Sequence, residues 1–162
     1  MIYRETQKFT QWWLWIFLVG LTVLPIYSII QQLVFKKEFG NNPMSDWGLI
    51  IFAFGIFIFV YFFYSITLIT EIDKHEIRIR FNPFLKKNIR WSEVASAKII
   101  NYGFVGYGIR YGSRHGVVYN IKGKIGLALI LKNGQKMVIG TQRHIELDSW
   151  LLRNRIEQTN PK

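Results

Sequence analysis

The chain has 162 residues, a formal net charge of +11 and no cysteine. Disulfides, iron–sulfur clusters and thiolate zinc sites are therefore excluded. The length suits one small soluble domain beside a membrane part, and the charge is uneven. Residues 71–162 hold 17 Lys/Arg against 7 Asp/Glu, a surplus of +10. A basic face beside a bilayer is drawn to anionic headgroups. Nucleic acid also attracts such a face, but the apolar runs described next make lipid the nearer partner.

Residues 1–10 carry Arg4 and Lys8 against Glu5, and residues 11–35 then run uncharged. That run is too long for the apolar part of a signal peptide, and no small-x-small site ends it. It reads as a first membrane span. Trp12, Trp13 and Trp15 stand at its start as an interfacial aromatic belt. Pro25, in mid-span, removes a backbone hydrogen bond and is expected to kink the helix. Residues 36–46, KKEFGNNPMSD, form a turn-rich loop whose charges cancel. Residues 47–70 follow, again without one charge. At 1.5 Å per residue they reach about 36 Å, enough for a hydrocarbon core of about 30 Å. The expected membrane part is thus residues 1–70, with spans at about 11–35 and 47–70.

Two spans put both termini on one side. Arg4 and Lys8 precede the first span, and Lys74, Arg78, Arg80, Lys86, Lys87 and Arg90 follow the second, whereas the loop offers Lys36 and Lys37. Basic residues flanking spans favour the inside. The expectation is an integral inner (plasma) membrane protein with cytoplasmic termini and an outside loop.

The remainder, residues 71–162, changes to strand signals. A turn at residues 72–76 separates a strand ending near Ile72 from a run Ile77-Arg78-Ile79-Arg80-Phe81, which alternates perfectly. Further strands are expected at 87–91, 94–102, 117–121, 126–131 and 136–140. Asn133-Gly134 is a type I′ hairpin signal between the last two. The stretch 103–116 has five glycines and is read as a bent strand pair with bulges. Beyond Thr141, a candidate N-cap, an apolar stripe of Ile145, Leu147, Trp150, Leu151 and Ile156 predicts a closing helix. Glu146 and Asp148 lie early in it, Arg153 and Arg155 late, as the helix dipole favours. The tail TNPK is expected to fray. Seven strands and one helix make an α+β fold: a small antiparallel barrel or curved sandwich closed by the helix.

Three segments carry a family resemblance: Gly106-Tyr107-Gly108-Ile109-Arg110, then GLALILKNG from Gly126 to Gly134, then Ile139-Gly140-Thr141-Gln142-Arg143-His144 before the helix. With the strand order, they resemble the bacterial pleckstrin-homology-like (PH-like) domains that follow a two-span hairpin. A proline is common in that family before the helix, where this chain has His144. The resemblance implies an architecture and a scaffold or accessory role rather than a reaction.

The chemistry-bearing residues agree with a non-catalytic reading. His75, His115 and His144 fall in three separate turns, so no metal site is expected. Ser113, Arg114 and His115 adjoin, but no carboxylate lies between Glu93 and Glu146, so a nucleophilic triad has no local signature. The glycine stretch lacks the spacing of a phosphate-binding loop. No cofactor is implied. Lys74, Arg78 and Arg80 echo the basic pattern that phosphoinositide-binding PH domains carry on their first hairpin, and Lys86 and Lys87 extend the set as a candidate lipid-binding face. Tyr107, Arg110, Tyr111 and Arg114 form a candidate face for a protein partner. The spans hold no ionisable group and no G-x-x-x-G, so neither an ion path nor a tight dimer seam is signalled. The expected function is a membrane-anchored interaction module. The alternatives are a subunit of an oligomeric channel or transporter, and a small membrane enzyme.

Overall fold

The structure is a computed structural model and describes residues 2–154. It divides into two compact units: residues 10–65, and the residues flanking them on both sides.

The first unit is a helical hairpin. Helix α1 (Trp12–Ile29) contains Pro25 and runs into a π-helical segment, Ile30–Val34. Helix α2 spans Asp46–Ser65. The two are 23 residues (with the π-helical segment) and 20 residues long, and both are apolar enough to cross a membrane. They pack on each other through buried Leu18, Ser28, Leu49 and Ala53. The Trp15 and Tyr64 rings meet edge to face at one end. At the other, the Gln32 amide donates to the Met44 carbonyl at 2.8 Å and to the Asp46 carboxylate at 2.7 Å. Many other apolar side chains of this unit face outward. Ile16, Phe17, Leu24, Ile51, Phe54 and Ile58 are all more than half exposed.

The second unit holds two sheets. The first is an antiparallel meander of four strands: β1 (Tyr3–Lys8), β2 (Thr67–Ile72), β3 (Glu76–Asn82) and β4 (Leu85–Arg90). Lys8 pairs with Thr67, so the chain leaves this sheet at one strand end and returns on the neighbouring strand. The whole helical unit is therefore an insertion in a β-hairpin. The expected boundary at residue 70 falls inside β2. An uncharged run cannot distinguish the end of a span from a strand, and in TLITEI the β-branched residues and the alternating burial of Leu68, Thr70 and Ile72 decide for strand.

The second sheet has five strands in the order β5-β8-β9-β7-β6. These are β5 (Val94–Asn101), β6 (Gly108–Ser113), β7 (Gly116–Asn120), β8 (Ile125–Leu131) and β9 (Lys136–Gly140). All pairs are antiparallel except β7 with β9. Among the described residues the sheets remain separate, so of the two expected forms, barrel or curved sandwich, the closed barrel is not made. Among the described residues nine strands replace the seven counted: β1 is additional, and β6 lies in the stretch 103–116 read as a bent strand pair. The turn at Asn133-Gly134 also differs. Gly134 alone takes a positive φ, and its amide donates to the Leu131 carbonyl. That is a type I turn followed by a left-handed glycine, because type I′ needs positive φ at both residues.

The core lies on the inner faces of both sheets and under helix α3 (His144–Arg153). Leu68, Ile77, Ile79, Phe81 and Ile89 come from the first sheet, and Leu127, Leu129, Met137 and Ile139 from the second. Helix α3 adds Leu147, Trp150 and Leu151, all buried. Ile145 is 74% exposed and leaves the expected stripe. Ile156, Arg155 and the TNPK tail lie outside the described residues.

Candidate functional site

The outer face of the first sheet is an ion-pair ladder. Register places Arg4, Glu71, Arg78 and Asn88 in one row, and Thr6, Ile69, Arg80 and Lys86 in the next. Glu71, largely buried, receives Arg4 at 3.3 Å, Arg78 at 3.4 Å and Arg80 at 3.0 Å. Arg78 also reaches Asp73 at 2.8 Å and Glu76 at 3.5 Å. The backbone amides of Glu76 and His75 hold the Asp73 carboxyl below the usual carboxylate range, and Arg78 adds to this. Arg78 and Arg80 are thus engaged within the protein.

The other residues of the expected lipid-binding set are distributed around them. Lys86 shares the outer face. Lys87 pairs with Ile79 and so takes the inner parity, at a sheet edge. Lys74 is exposed in the β2–β3 turn, at the opposite end of the sheet from Lys8 and Thr67. Six residues of β3 separate the two ends, about 20 Å at strand rise.

The inner face of β1 is polar. Tyr3, Glu5 and Gln7 alternate inward and are all buried. The Tyr3 hydroxyl donates to Glu5 Oε2 at 2.7 Å, and the Thr141 hydroxyl donates to the same oxygen at 2.6 Å. The Gln142 amide donates to Glu5 Oε1 at 2.8 Å. Gln7 Nε2 donates to the Gly140 carbonyl at 2.6 Å. The Arg143 guanidinium donates to the Arg4 carbonyl and pairs with Glu146. Burial pushes the Tyr3 hydroxyl up, and its bond to Glu5 adds to the shift. This network ties the first strand to the segment before α3. Thr141 serves it instead of capping the helix: α3 starts at His144, with no side-chain cap at Arg143.

The outer face of the second sheet has a covered half and an open half. Tyr102, Val118 and Val138 are buried there, packed against Ile100, Ala128 and Val105 from the loop after β5. Burial pushes the Tyr102 hydroxyl up to about 12. One row crosses the sheet as Arg110, Val118, Val138, Ala128, Lys98. The next continues with Ile130 and Lys136. The β6–β7 tip, carrying Arg114 and His115, folds beside them. A Cβ on Gly116, whose φ is +80°, would run into the Lys136 carbonyl, so only glycine lets the tip approach β9. The result is a cleft of about 390 Å³ whose lining includes Lys98, Ile100, Arg114, His115, Ala128 and Lys136.

The expected partner face is only partly assembled. Tyr107 lies in the loop before β6, where its ring meets those of Phe9 and Phe104 edge to face. Arg110 and Tyr111 are exposed on β6, around a bulge between Arg110 and Ser113. Arg114 is at the far tip and gathers with Lys98 and Lys136. Sequence reasoning missed this group, because its members are far apart on three segments. Only the pairing of β5, β8, β9 and β7 brings them together. Ser113 accepts from the His115 amide and donates to the Gly116 carbonyl, so it holds the turn. Among the described residues no three His, Asp or Glu gather as metal ligands. No protein-family model matches the chain, and no curated protein matches it.

Proposed function

We propose that the chain is a membrane-anchored, non-catalytic interaction module of PH-like architecture. Helices α1 and α2 cross the inner membrane, the loop between them lies outside, and the two-sheet unit is cytoplasmic. The observation that carries this is the insertion of two uncovered apolar helices between paired strands. Apolar surface of that extent is not left facing water in a soluble monomer, and lipid would cover it. The PH-like reading draws support from topology. Without the β6–β7 hairpin, seven strands remain, four and three in antiparallel sheets, followed by the closing helix. The glycine-rich hairpin is then an addition between β5 and β8.

Chain connectivity also refines the lipid contact. Residues 9–11 link β1 to α1, and Ile66 alone links α2 to β2. Linkers this short join the Lys8–Thr67 end of the sheet directly to the helices. The β3–β4 turn, with exposed Phe84, lies at that same end of the sheet, and Lys86 and Lys87 follow it. Lys74 lies at the opposite end, about 20 Å along the strands, so Lys86 and Lys87 are the members of the basic set proposed to meet the headgroups. The headgroup attraction is modest and orients the domain.

The test exchanges residues 9–66 for Asn-Gly, a two-residue turn suited to joining Lys8 to Thr67. The full chain should resist alkaline carbonate extraction. The exchanged chain should be soluble and folded, and should bind anionic vesicles only at low salt. A fragment beginning at Glu71 should aggregate, since it lacks β1 and most of β2. Carbonate extraction of the full chain, or salt-resistant membrane binding of the exchanged chain, would overturn the anchor.

A further inference from the structure

We propose that the open cleft on the outer face of the second sheet binds an acidic segment of a partner protein, with an apolar side chain seated between its carboxylates. This rests on the module reading above and specifies its ligand. Lys98, Arg114 and Lys136 surround the cleft, and no carboxylate lines it. None of the three has an ion pair among the described residues. The contrast with the first sheet is direct. There each arginine of the ladder faces Glu71, Asp73 or Glu76, and the charge is neutralised from within. Here three cations share one concavity with no internal counter-charge, so an external anion gains the full complementarity.

The floor decides which anion. Ile100, Ala128 and Ile130 are half-buried and apolar, and the first two pack against the Tyr102–Val118–Val138 cluster. The cations come from three different segments around this floor. A compact phosphate would want donors converging on one point. An apolar anchor flanked by carboxylates matches a greasy floor under a charged rim, the usual anatomy of a peptide-sized interface.

The test holds the full chain in phosphatidylcholine nanodiscs and selects a displayed library of random short peptides on it. Peptides with two or more Asp/Glu around Leu, Ile, Val or Phe should be enriched. A synthetic copy of the best should bind the Lys98→Glu/Lys136→Glu variant at least about tenfold more weakly. It should bind Lys132→Glu, changed on the β8–β9 turn outside the cleft, as it binds the parent. Replacing its apolar residue by Ser should also weaken it. Enrichment without an acidic pattern, or unchanged binding to the double variant, would overturn the proposal. Inorganic phosphate displacing the peptide at equal concentration would make this a small-anion site instead. Loss of the peptide in anionic nanodiscs at constant ionic strength would assign the cleft to lipid. A protein that inserts normally but yields these results loses the ligand and keeps the anchor.

Discussion

Replacing Glu5 by Ala should strip the clamp that holds β1 to the rest of its unit. Glu5 is 4% exposed, and its carboxylate accepts from Tyr3, Thr141 and the Gln142 amide. Hydrogen bonds to a charged group contribute about 1.5–3 kcal/mol each. Their sum overstates the effect, because burying the carboxylate itself costs several kcal/mol. Leaving its three neutral donors without a partner should cost about 3–5 kcal/mol, since each buried unsatisfied group costs about 1–3 kcal/mol and some will find water. Glu5→Gln keeps the shape and one acceptor oxygen, but sets an amide N–H against one of the donors, so it should cost about half as much. The measurement is urea unfolding of the full chain in detergent micelles, with hydrogen exchange read on peptides covering β2 and α3. Exchange should quicken in both, since β1 joins them. Losses below about 1 kcal/mol for both variants would show that the network contributes little and that β1 is held by its ladder alone.

Other perturbations test separate parts of the account. Trp150→Ala should cost about 3–5 kcal/mol, the usual range for deleting a large core aromatic; a loss under about 1 kcal/mol in the same unfolding assay would detach α3 from the core. Gly116→Ala should push the β6–β7 tip off β9, and faster exchange limited to β6 and β7 would show it. Asp73 has a depressed folded pKa, so its stabilisation is complete above the unfolded value of about 4 and is lost as pH falls through the folded one. Asp73→Asn should therefore flatten the acid limb of the stability profile, and an unchanged limb would remove Asp73 from it.

Legibility followed the physical signals. The apolar runs and the alternation in β3 were readable because one periodicity dominated each. Strand β1 was not, since its buried face is Tyr3, Glu5 and Gln7, and polar residues on both faces leave no alternation to read. Their partners across the fold are the Gly140 carbonyl, Thr141 and the Gln142 amide, more than a hundred residues away. Strand β6 was legible only as half of a bent pair with bulges, because glycines at its bulge and tip interrupt any alternation. The basic set was legible as charge, but its counter-charges were not: Glu71 meets Arg4, Arg78 and Arg80 only once three strands are in register. The cleft was invisible for the same reason, since Lys98, Arg114 and Lys136 share no local pattern.

The central claim is that the chain crosses the bilayer twice between two paired strands. Having no cysteine, it accepts single-cysteine probes against a silent background. With a membrane-impermeant thiol reagent on intact cells, Asn42→Cys should be labelled. Thr6→Cys in β1 and Lys132→Cys in the β8–β9 turn should stay unlabelled until the cells are permeabilised. Labelling of Thr6→Cys or Lys132→Cys on intact cells, with Asn42→Cys protected, would contradict the account.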